Sequence, residues 1–370
     1  MKYILDVTCL DAYSSGAKQR FLSLYSKLIG VNKKNFFYVM HSEQFKHVKK
    51  VFNFPNVKFI TIPITQENYV IKLISVIYIF FYIKLKFRKI KAVEYFTLPF
   101  FKINNGKNIF TIHDLRKIYF SNFFLNKIAF KIFFKFFLKK ANKIIVVSNA
   151  IKKEMSKNFG KLDMTTIYNT IDKKAFNNIS SKDIKVIKKK YFLPSNFILT
   201  VGHLEKRKNY LRLIQAIKIL KDTNYKTKLI IIGQKADEAN KINSLVVKLK
   251  LSSSVKVLSN LNDHEVKCFY KLANLFVFPS MYEGFGIPIL ESMASNLPII
   301  LSNTEVFREI TENRYLYFDE YDPLSIANKI KFVLMNKSIQ DKMISYGKKR
   351  INYFSLHVQK KNLNKFYSNL

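Results

Sequence analysis

Residues 275–300 read LFVFPSMYEGFGIPILESMASNLPII, and this stretch predicts a strand, a tight turn and the start of a helix. The apolar run Leu275–Phe278 is typical of a buried strand. Gly284 and Gly286 then allow a sharply bent backbone, and Pro288 is typical of a first helical turn. Such a turn directs backbone N–H groups and the positive end of a helix at one point, which suits a phosphate or a cluster of sugar hydroxyls.

Two carboxylates flank this turn. Glu283 precedes it, and Glu291 follows eight positions later, in the expected first turn of the helix. Acids beside a phosphate would repel it, so these side chains are better suited to neutral hydroxyls, because a carboxylate can accept two hydrogen bonds from a vicinal diol. A nucleotide sugar carries such diols at both ends. The alternative is that Glu291 is a solvated acid that complements the helix dipole and that Glu283 is a loop charge.

Three basic residues stand at an earlier strand-to-helix turn in the same half of the chain. Residues 202–209 read GHLEKRKN and lie between an expected strand at 197–201 and an expected helix at 210–220. Arg207 and Lys208 are suited to a diphosphate, because cations and helix N-termini both favour anions. A solvated basic turn is the alternative.

The N-terminal residues predict a further strand, loop and helix. Residues 3–10 form the expected strand, and a small-residue loop with Gly16 leads to an amphipathic helix at 21–28. The loop lacks the G-x-G-x-x-G pattern of a dinucleotide site, which counts against an NAD enzyme. Gly16 is either a ligand contact or part of an ordinary turn. Asp6 and Asp11 interrupt the apolar run too early for a secretion signal, so we expect no targeting segment.

A histidine follows another expected strand. Residues 108–115 read NIFTIHDL and predict a strand that leads into His113. Ligands of open α/β sheets bind beyond the carboxyl ends of the strands, so His113 is a candidate catalytic residue. A structural histidine whose nitrogens are satisfied inside the fold is the alternative.

Length and cysteine content limit the class of protein. The 370 residues fit two domains of about 150 to 200 residues each. Cys9 and Cys268 are the only cysteines of the sequence, and they lie far apart without metal-ligand spacing. We therefore expect a reducing, cytoplasmic compartment, no disulfide framework and no metal site.

The net charge of +39 allows three interpretations: nucleic-acid binding, attachment to an anionic membrane, or a drift of composition toward lysine. Only eight of the 64 basic residues are arginine, whereas base and phosphate recognition favours the arginine fork. The lysines are spread along the chain without a zinc-finger, RNP or basic-helix motif. We attribute most of the charge to composition and part of it to a membrane surface, and we expect no nucleic-acid partner.

Two apolar stretches bear on membrane contact. Residues 70–83 are apolar nearly all round but number only fourteen, whereas a membrane span needs about 20, so we expect a buried helix. Residues 123–143 alternate lysine with phenylalanine and leucine around the expected helix, which suits a helix lying in a membrane interface. Packing of that helix against the sheet of its own domain is the alternative.

Several of these strings together resemble one protein family. Glu283 and Glu291 match the E-x7-E pattern of the retaining nucleotide-sugar glycosyltransferases of GT-B family 4, the glycosyl transferases group 1, and EGFG and PILESMA are also in place. Residues 201–209, VGHLEKRKN, are similar to the family's VG-x-L-x-x-RKN segment. Residues 111–115 are similar to its TIHD-L signature, and residues 316–327, LYFDEYDPLSIA, to its LYFDPYDPESIA segment.

The chain also departs from the family pattern at three places. Thr170 replaces the glycine of an N-G-V-D string, and His203 stands where many relatives carry arginine. In the glycine-rich loop that usually covers the diphosphate, only Gly16 matches well. The resemblance is most specific from residue 200 to residue 330.

The resemblance implies an α/β fold in which two Rossmann-like domains face each other across a cleft. It implies an acceptor-binding domain at 1–175, a nucleotide-sugar-binding domain at 176–353 and a C-terminal helix at 354–370 that crosses back to the first domain. Residues 173–196 are rich in lysine and asparagine with little periodicity, so we predict the interdomain linker there.

The resemblance also implies roles for particular residues. Arg207 and Lys208 would neutralise the leaving diphosphate, Glu283 would contact the sugar and stabilise a cation-like ring, and His113 would line the cleft as a fourth catalytic residue. The implied contacts to the donor are Gly16, Gly284, Phe285, Gly286 and Glu291.

The implied reaction is retaining transfer of a hexose, with mannose as one candidate, from a UDP- or GDP-sugar to a glycan or lipid-linked glycan in surface polysaccharide or lipopolysaccharide synthesis. It requires no metal and no cofactor besides the nucleotide sugar. The inner face of the cytoplasmic membrane is a candidate surface for peripheral attachment. The alternatives are a GT-B-like epimerase, which lacks the E-x7-E pattern, and a basic membrane- or nucleic-acid-binding protein without transferase activity.

Overall fold

Two parallel β-sheets, one in each of two units, organise the chain in this computed structural model. The first unit is Met1–Thr170 with Leu356–Leu370, and the second is Ile171–Ser355. The structure describes residues 2–8, 16–25, 36–42, 45–46, 58–62, 69–87, 89–96, 106–120 and 124–370. Parallel sheets with helices in the connections are the architecture of Rossmann-like domains, so the expectation of two such α/β domains is confirmed. The cleft between them stays a prediction.

In the described part of the first unit, seven parallel strands follow the order β3-β2-β1-β4-β5-β6-β7. They are β1 (Lys2–Asp6), β2 (Phe36–His41), β3 (Lys58–Ile62), β4 (Ile90–Tyr95), β5 (Lys107–Ile112), β6 (Lys143–Val146) and β7 (Met164–Thr166). The helices are α1 (Gly16–Arg20), which continues as a π-helical turn at Phe21–Tyr25, α2 (Tyr69–Lys86), α3 (Arg116–Phe120), α4 (Phe124–Leu138) and α5 (Asn149–Phe159).

The second unit, which is described throughout, holds six parallel strands in the order β10-β9-β8-β11-β12-β13. They are β8 (Ile198–Val201), β9 (Leu229–Ile232), β10 (Val255–Leu258), β11 (Leu275–Phe278), β12 (Ile299–Ser302) and β13 (Leu316–Phe318). The helices are α6 (Lys173–Asn177), α7 (Ser181–Lys190), α8 (Tyr210–Asp222), α9 (Ala239–Lys248), α10 (Asp263–Leu272), α11 (Ile287–Ala294), α12 (Glu305–Thr311), α13 (Pro323–Met335) and α14 (Lys337–Arg350). Strand β11 has the predicted bounds.

In each sheet, successive strands are added first on one side of the initial strand and then on its other side, so the strand order reverses at one point. In the first sheet this point lies between β1 and β4, and in the second it lies between β8 and β11. The connections from the two neighbouring strands leave on opposite faces there, so a crevice opens beyond their carboxyl ends and ligands of open α/β sheets bind in it.

The last helix, α15 (Leu356–Ser368), belongs to the first unit and completes its core. The ring of Tyr367 packs edge to face against Tyr3, with 5.5 Å between centroids. The Tyr367 hydroxyl donates a hydrogen bond to the buried carboxylate of Glu94 on β4, which also accepts one from Tyr25 at 2.6 Å. Hydroxyl donors satisfy this buried carboxylate, so the contact fastens α15 to the middle of the first sheet.

The prediction of an interdomain linker at 173–196 is wrong, because α6 and α7 occupy most of it. Their N-terminal signals are present in the sequence. Asp172 caps α6 by accepting a hydrogen bond from the backbone of Lys174, and Ser180 with Asp183 forms a capping box at the start of α7. Lysines on the exposed side of α7 hide its apolar periodicity.

Helix α2 is not buried all round, so the expectation for residues 70–83 is wrong for one side. Ile79 and Ile83 are buried, whereas Ile74, Phe81 and Leu85 are exposed. Among the side chains of this helix that the structure describes, one side packs against the unit and the other is exposed. In the part of the chain that the structure describes, no helix is both long and apolar enough to cross a bilayer.

Helix α4 packs against its own unit on one side and is exposed on the other, while its contact with a membrane interface stays a prediction. Phe134 and Phe137 are buried in the first unit, which accounts for one side of the helix. The other side carries four exposed apolar residues at helical spacing, with Ile132 67% exposed, and we call these the α4 face: Ile128, Ile132, Phe133 and Phe136. Exposed lysines at positions 131, 135 and 139 lie along the same helix and its end.

Candidate functional site

The second unit brings its two predicted turns together at the reversal point of the sheet. Strands β8 and β11 are parallel neighbours, and Leu275 is paired with Ile198. The basic turn follows β8, and the acid-glycine turn follows β11. The backbone N–H of Met281 donates to the carbonyl of Arg207 at 2.8 Å, and the Arg207 guanidinium donates to the carbonyl of Tyr282 at 3.2 Å. These hydrogen bonds tie the two turns to each other.

A buried ion cluster lies between the turns. One carboxylate oxygen of Glu283, Oε1, lies 2.8 Å from Nη1 of Arg207 and 2.7 Å from Nζ of Lys208. Arg207 also pairs through Nε with Glu205 Oε2 at 2.7 Å. The side chains of Arg207 and Glu283 are each 12% exposed and that of Lys208 is 7% exposed. The predicted catalytic residues Arg207, Lys208 and Glu283 are therefore in direct contact.

Electrostatics favour the charged form of this carboxylate. Burial alone would raise the pKa of Glu283, but the cations of Arg207 and Lys208 lower it to about 2. Burial lowers the pKa of Lys208, and the Glu283 carboxylate opposes that shift. Glu283 is thus a carboxylate at neutral pH, held beside two donors that also suit phosphate oxygens.

Two glycines make room for the cluster. A Cβ atom at Gly202, directly after β8, would stand 2.9 Å from Nζ of Lys208 and 2.9 Å from the hydroxyl oxygen of Tyr210. A Cβ atom at Gly233, after β9, would stand 1.9 Å from the carbonyl oxygen of Gly202. A larger residue at Gly202 would therefore displace the ends of the Lys208 and Tyr210 side chains, and one at Gly233 would displace the backbone of Gly202.

The glycine turn contains one backbone conformation that only glycine adopts readily. Gly286 has a φ of 103°, and a Cβ atom there would approach a ring carbon of Phe307 to 3.1 Å. Helix α11 begins directly after it, so Pro288 occupies the second helical position. Gly284 and Phe285 are buried, and the Phe285 ring packs edge to face against Phe354 at 5.7 Å. The Phe285 side chain thus serves packing, which leaves its backbone for any donor contact.

Glu291 lies in the second turn of its helix and not in the first turn, as predicted from the sequence. Because α11 begins at Ile287, Glu291 is the fifth residue of the helix and belongs to its second turn. The hydroxyl of Tyr270 on α10 donates to Glu291 Oε2 at 2.7 Å. Burial raises the pKa of Glu291 to about 7, and the Tyr270 hydrogen bond opposes part of that shift. Tyr270 was not predicted, because no sequence pattern connects it to Glu291.

The remaining predicted site residues lie in the first unit. His113 follows β5, and burial lowers its pKa to about 3, with Arg20 and Arg116 adding to the shift, so the imidazole is neutral. Among the described residues, His113 Nε2 has no hydrogen-bond partner. Gly16 begins α1, and the loop before it, residues 9–15, lies outside the described residues together with Cys9.

Arg20 is a residue of this region that sequence analysis did not single out. Its side chain is fully buried, and Nη1 donates to the carbonyl of Ile167 at 2.8 Å and to Asn169 Oδ1 at 2.9 Å. A buried guanidinium is costly unless its donors find acceptors, and β7 leads directly into the residues that supply these two. No local motif could have revealed it, because the partners are about 150 residues away.

In the described part of the chain, no three His, Cys, Asp or Glu side chains lie close enough together to hold a metal ion. Cys268 is buried and forms no disulfide. Arg207 and Lys208 are paired with Glu283, the residue before the glycine turn.

A cationic turn joined to an acid-glycine turn at the reversal point of a parallel sheet defines an α/β protein built to bind an anionic ligand with hydroxyl groups. Residues 182–350 match the family described as glycosyl transferases group 1. The matched residues lie within the second unit, so this unit is similar to the glycosyl transferases group 1 family.

Three relatives are informative. The chain is 31% identical over 251 residues to the O-antigen chain mannosyltransferase RfbU of Salmonella typhimurium, which is 67% of this chain and 66% of that protein. It is 30% identical over 173 residues to O-antigen chain mannosyltransferase B of Escherichia coli, 46% of this chain and 45% of that protein. Both alignments thus span less than two thirds of the relative. The crystal structure of Anabaena HepE with UDP and glucose superposes with a TM-score of 0.80 at 15% identity, covering 100% of both chains, which supports the two-domain fold.

Because the ion cluster is buried, we expect the loss of one of its charges to destabilise the protein more than the loss of an exposed charge does. In Glu283→Gln, two buried cations lose the carboxylate they share, so we expect the free energy of unfolding to fall by about 3 kcal/mol. The measurement is urea unfolding at pH 7, followed by circular dichroism.

The matched control is Asp341→Asn, which removes an exposed ion pair with Lys337 at 3.1 Å in the same unit. Exposed pairs contribute about 1 kcal/mol or less, so this variant should unfold nearly as the parent does. Equal stability losses in the two variants would show that the buried cluster has no special energetic role.

Proposed function

We propose that the protein is a retaining glycosyltransferase, which moves a hexose from a UDP- or GDP-sugar to a glycan or lipid-linked glycan in surface polysaccharide synthesis. The observation that carries this proposal is the contact of Arg207, Lys208 and Glu283 beside the turn that opens the helix of Glu291. The match of residues 182–350 to the glycosyl transferases group 1 model and the relatives named as O-antigen mannosyltransferases support it, and these relatives make mannose the first sugar to test.

In this proposal the basic turn receives the donor's diphosphate. Arg207 and Lys208 offer two cations whose positions are fixed by Glu283 and Glu205 before any ligand arrives. Negative charge grows on the diphosphate as the glycosidic bond breaks, and fixed cations in a shielded site stabilise that charge with little reorganisation. Backbone N–H groups of the turn at Gly284–Gly286 would add further donors.

The two acids then bind the neutral parts of the donor. Glu291, oriented by Tyr270, would accept hydrogen bonds from the ribose diol. Glu283 stays ionised, so it can accept hydrogen bonds from the sugar and stabilise positive charge on a cation-like ring. Gly16 in the first unit stays a predicted donor contact.

The catalytic step would be a front-face attack in which the leaving phosphate accepts the proton of the acceptor hydroxyl. The bond from the anomeric carbon to the phosphate oxygen breaks as the bond to the acceptor oxygen forms, with retention at that carbon. His113, which is neutral, would orient the reacting groups. This scheme needs no divalent ion, because Arg207 and Lys208 supply the positive charge.

Donor affinity should depend on pH through Glu291. Because its pKa is raised to about 7, the carboxylate is mostly protonated at pH 6 and mostly ionised at pH 8. Only the ionised form accepts both hydroxyls of a diol, so the affinity for GDP-mannose or UDP-glucose should increase about tenfold over this range. Calorimetric titration with the intact nucleotide sugars measures it, since their diphosphate diesters do not titrate near neutral pH.

The variant Glu291→Gln should bind these donors weakly and with no such pH dependence. Glu305→Gln, which changes an exposed glutamate of α12, is the control and should keep the parent profile. A parent profile in Glu291→Gln would refute the donor site, and failure of the parent to bind any UDP- or GDP-sugar would refute the transferase itself.

Transfer should persist in excess chelator and should require His113. We expect His113→Ala to lower the transfer rate at least about 100-fold while donor affinity stays within about twofold, because a residue that orients reacting groups acts in the catalytic step. The measurement is release of nucleotide diphosphate with a mannose disaccharide as acceptor, with and without EDTA. Complete loss of activity in EDTA would contradict the metal-free mechanism.

We also propose that the α4 face rests on the inner surface of the cytoplasmic membrane. Exposed isoleucine and phenylalanine beside lysines suit a helix lying among anionic lipid headgroups. Vesicles containing phosphatidylglycerol should bind the protein at low salt and release it at high salt, and neutral phosphatidylcholine vesicles should bind it far more weakly.

The double variant Ile132→Ser, Phe136→Ser should weaken vesicle binding at least about tenfold, since it removes apolar area that would enter the lipid. Val247→Ser removes an exposed apolar side chain of α9 in the second unit and is the control. Equal binding by the double variant and the parent would exclude the α4 face as the attachment surface.

A further inference from the structure

A cavity of the second unit has no role in the proposed donor site. Its volume is about 560 Å³, and it is lined by strand β13 and by residues that follow β12 and β13. This volume falls within the usual range for small-molecule sites, about 300 to 1,000 Å³. The lining residues that carry the argument are Asn303, Arg308, Tyr317, Asp319, Glu320 and Tyr321.

Two aromatic rings are held in the wall of this cavity. The Tyr321 side chain is 62% exposed, and the Arg212 guanidinium lies 5.4 Å from its ring centroid. The Arg308 guanidinium lies 4.6 Å from the ring centroid of Tyr317. Stacking on a guanidinium restricts the motion of a ring, so these rings are oriented in advance. An exposed tyrosine face of this kind offers an apolar surface with a polar edge.

The charged residues that line the cavity carry a small net negative charge, unlike the strongly positive chain as a whole. Arg308 carries one positive charge, and Asp319 and Glu320 carry two negative charges. Two carboxylates disfavour a phosphate, although the chain has a net charge of +39. Carboxylate, amide and guanidinium groups together provide acceptors and donors for hydroxyls. The chemistry therefore fits a neutral ligand with many hydroxyls and an apolar ring face.

The cavity is connected to the proposed donor site through one residue. Asn209, the residue after Lys208, donates from Nδ2 to the backbone carbonyl of Glu320 at 2.7 Å. It also accepts a hydrogen bond from Arg212 at 2.9 Å, and Arg212 is the residue that stacks on Tyr321. The same short segment of chain thus positions a donor-site cation and one wall of the cavity.

We propose that this cavity binds one neutral pyranose residue of an oligosaccharide, stacked on Tyr321 and hydrogen-bonded through its hydroxyls to Asp319 and Glu320. In a transferase this residue belongs to the glycan that is being extended, at a distance from the sugar that reacts. The assignment of the ligand to the acceptor rests on the proposed function, whereas the binding of a neutral sugar rests on the cavity alone.

The experiment uses the full chain and α-linked mannotriose as the probe, with saturation-transfer NMR as the readout. We expect millimolar binding by the parent protein. Tyr321→Ala should weaken it at least about fivefold, because the stacking surface is lost, and Tyr321→Phe should keep it, because the ring is kept. Tyr353→Ala removes another exposed tyrosine of the same unit and should bind as the parent does. Circular dichroism verifies that each variant is folded.

Three outcomes would overturn the proposal: no binding of mannotriose or of glucose and galactose trisaccharides by the parent, parent-like binding by Tyr321→Ala, or displacement of the trisaccharide by inorganic phosphate, which would indicate an anion site. The donor titrations are independent of these results. A protein that binds trisaccharide but no nucleotide sugar would retain the cavity assignment and lose the transferase assignment.

Discussion

One carboxylate oxygen shared by two buried cations is the constraint on which the rest of the second unit depends. Glu283 Oε1 is close enough to bond both Arg207 and Lys208, and all three side chains are nearly shielded from water. Charges in such a place are tolerated only when each has a partner, so the two turns that carry them have little freedom to move apart. Gly202 follows from the same requirement for close approach, because a Cβ atom there would stand 2.9 Å from the Lys208 side chain.

The two units stabilise their buried charged groups in different ways. In the second unit, buried cations are neutralised by a carboxylate that is kept ionised. In the first unit, Arg20 Nη1 donates to one carbonyl and one amide oxygen, while Glu94 accepts hydrogen bonds from hydroxyls and burial raises its pKa. In the second unit, the paired charges place two cations where an anionic ligand could bind them in place of the Glu283 carboxylate. His113 in the first unit is neutral mainly because burial lowers its pKa, and the charges of Arg20 and Arg116 lower that pKa further.

Much of the second unit could be predicted from the sequence, because its strands are short apolar runs bounded by turn residues. Strand β11 has the expected bounds, and the proximity of Arg207 and Glu283 follows from placing both turns at one edge of a parallel sheet. Strand β4 was not predicted, since Lys91 and Glu94 interrupt its apolar run. Contacts that close over long separations, such as Tyr270 with Glu291, leave no local signal at all. The helices at 173–190 show that capping residues deserve more weight than a high lysine content.

The return of α15 to the first sheet has a consequence for how the protein is made. The core of the first unit includes Leu363, Phe366 and Tyr367, so this unit is not a continuous piece of chain. During synthesis the second unit has all its residues before the first can close its core, although the first emerges from the ribosome earlier. The core of the first unit therefore stays incomplete, and Glu94 lacks one of its hydroxyl donors, until α15 has been translated.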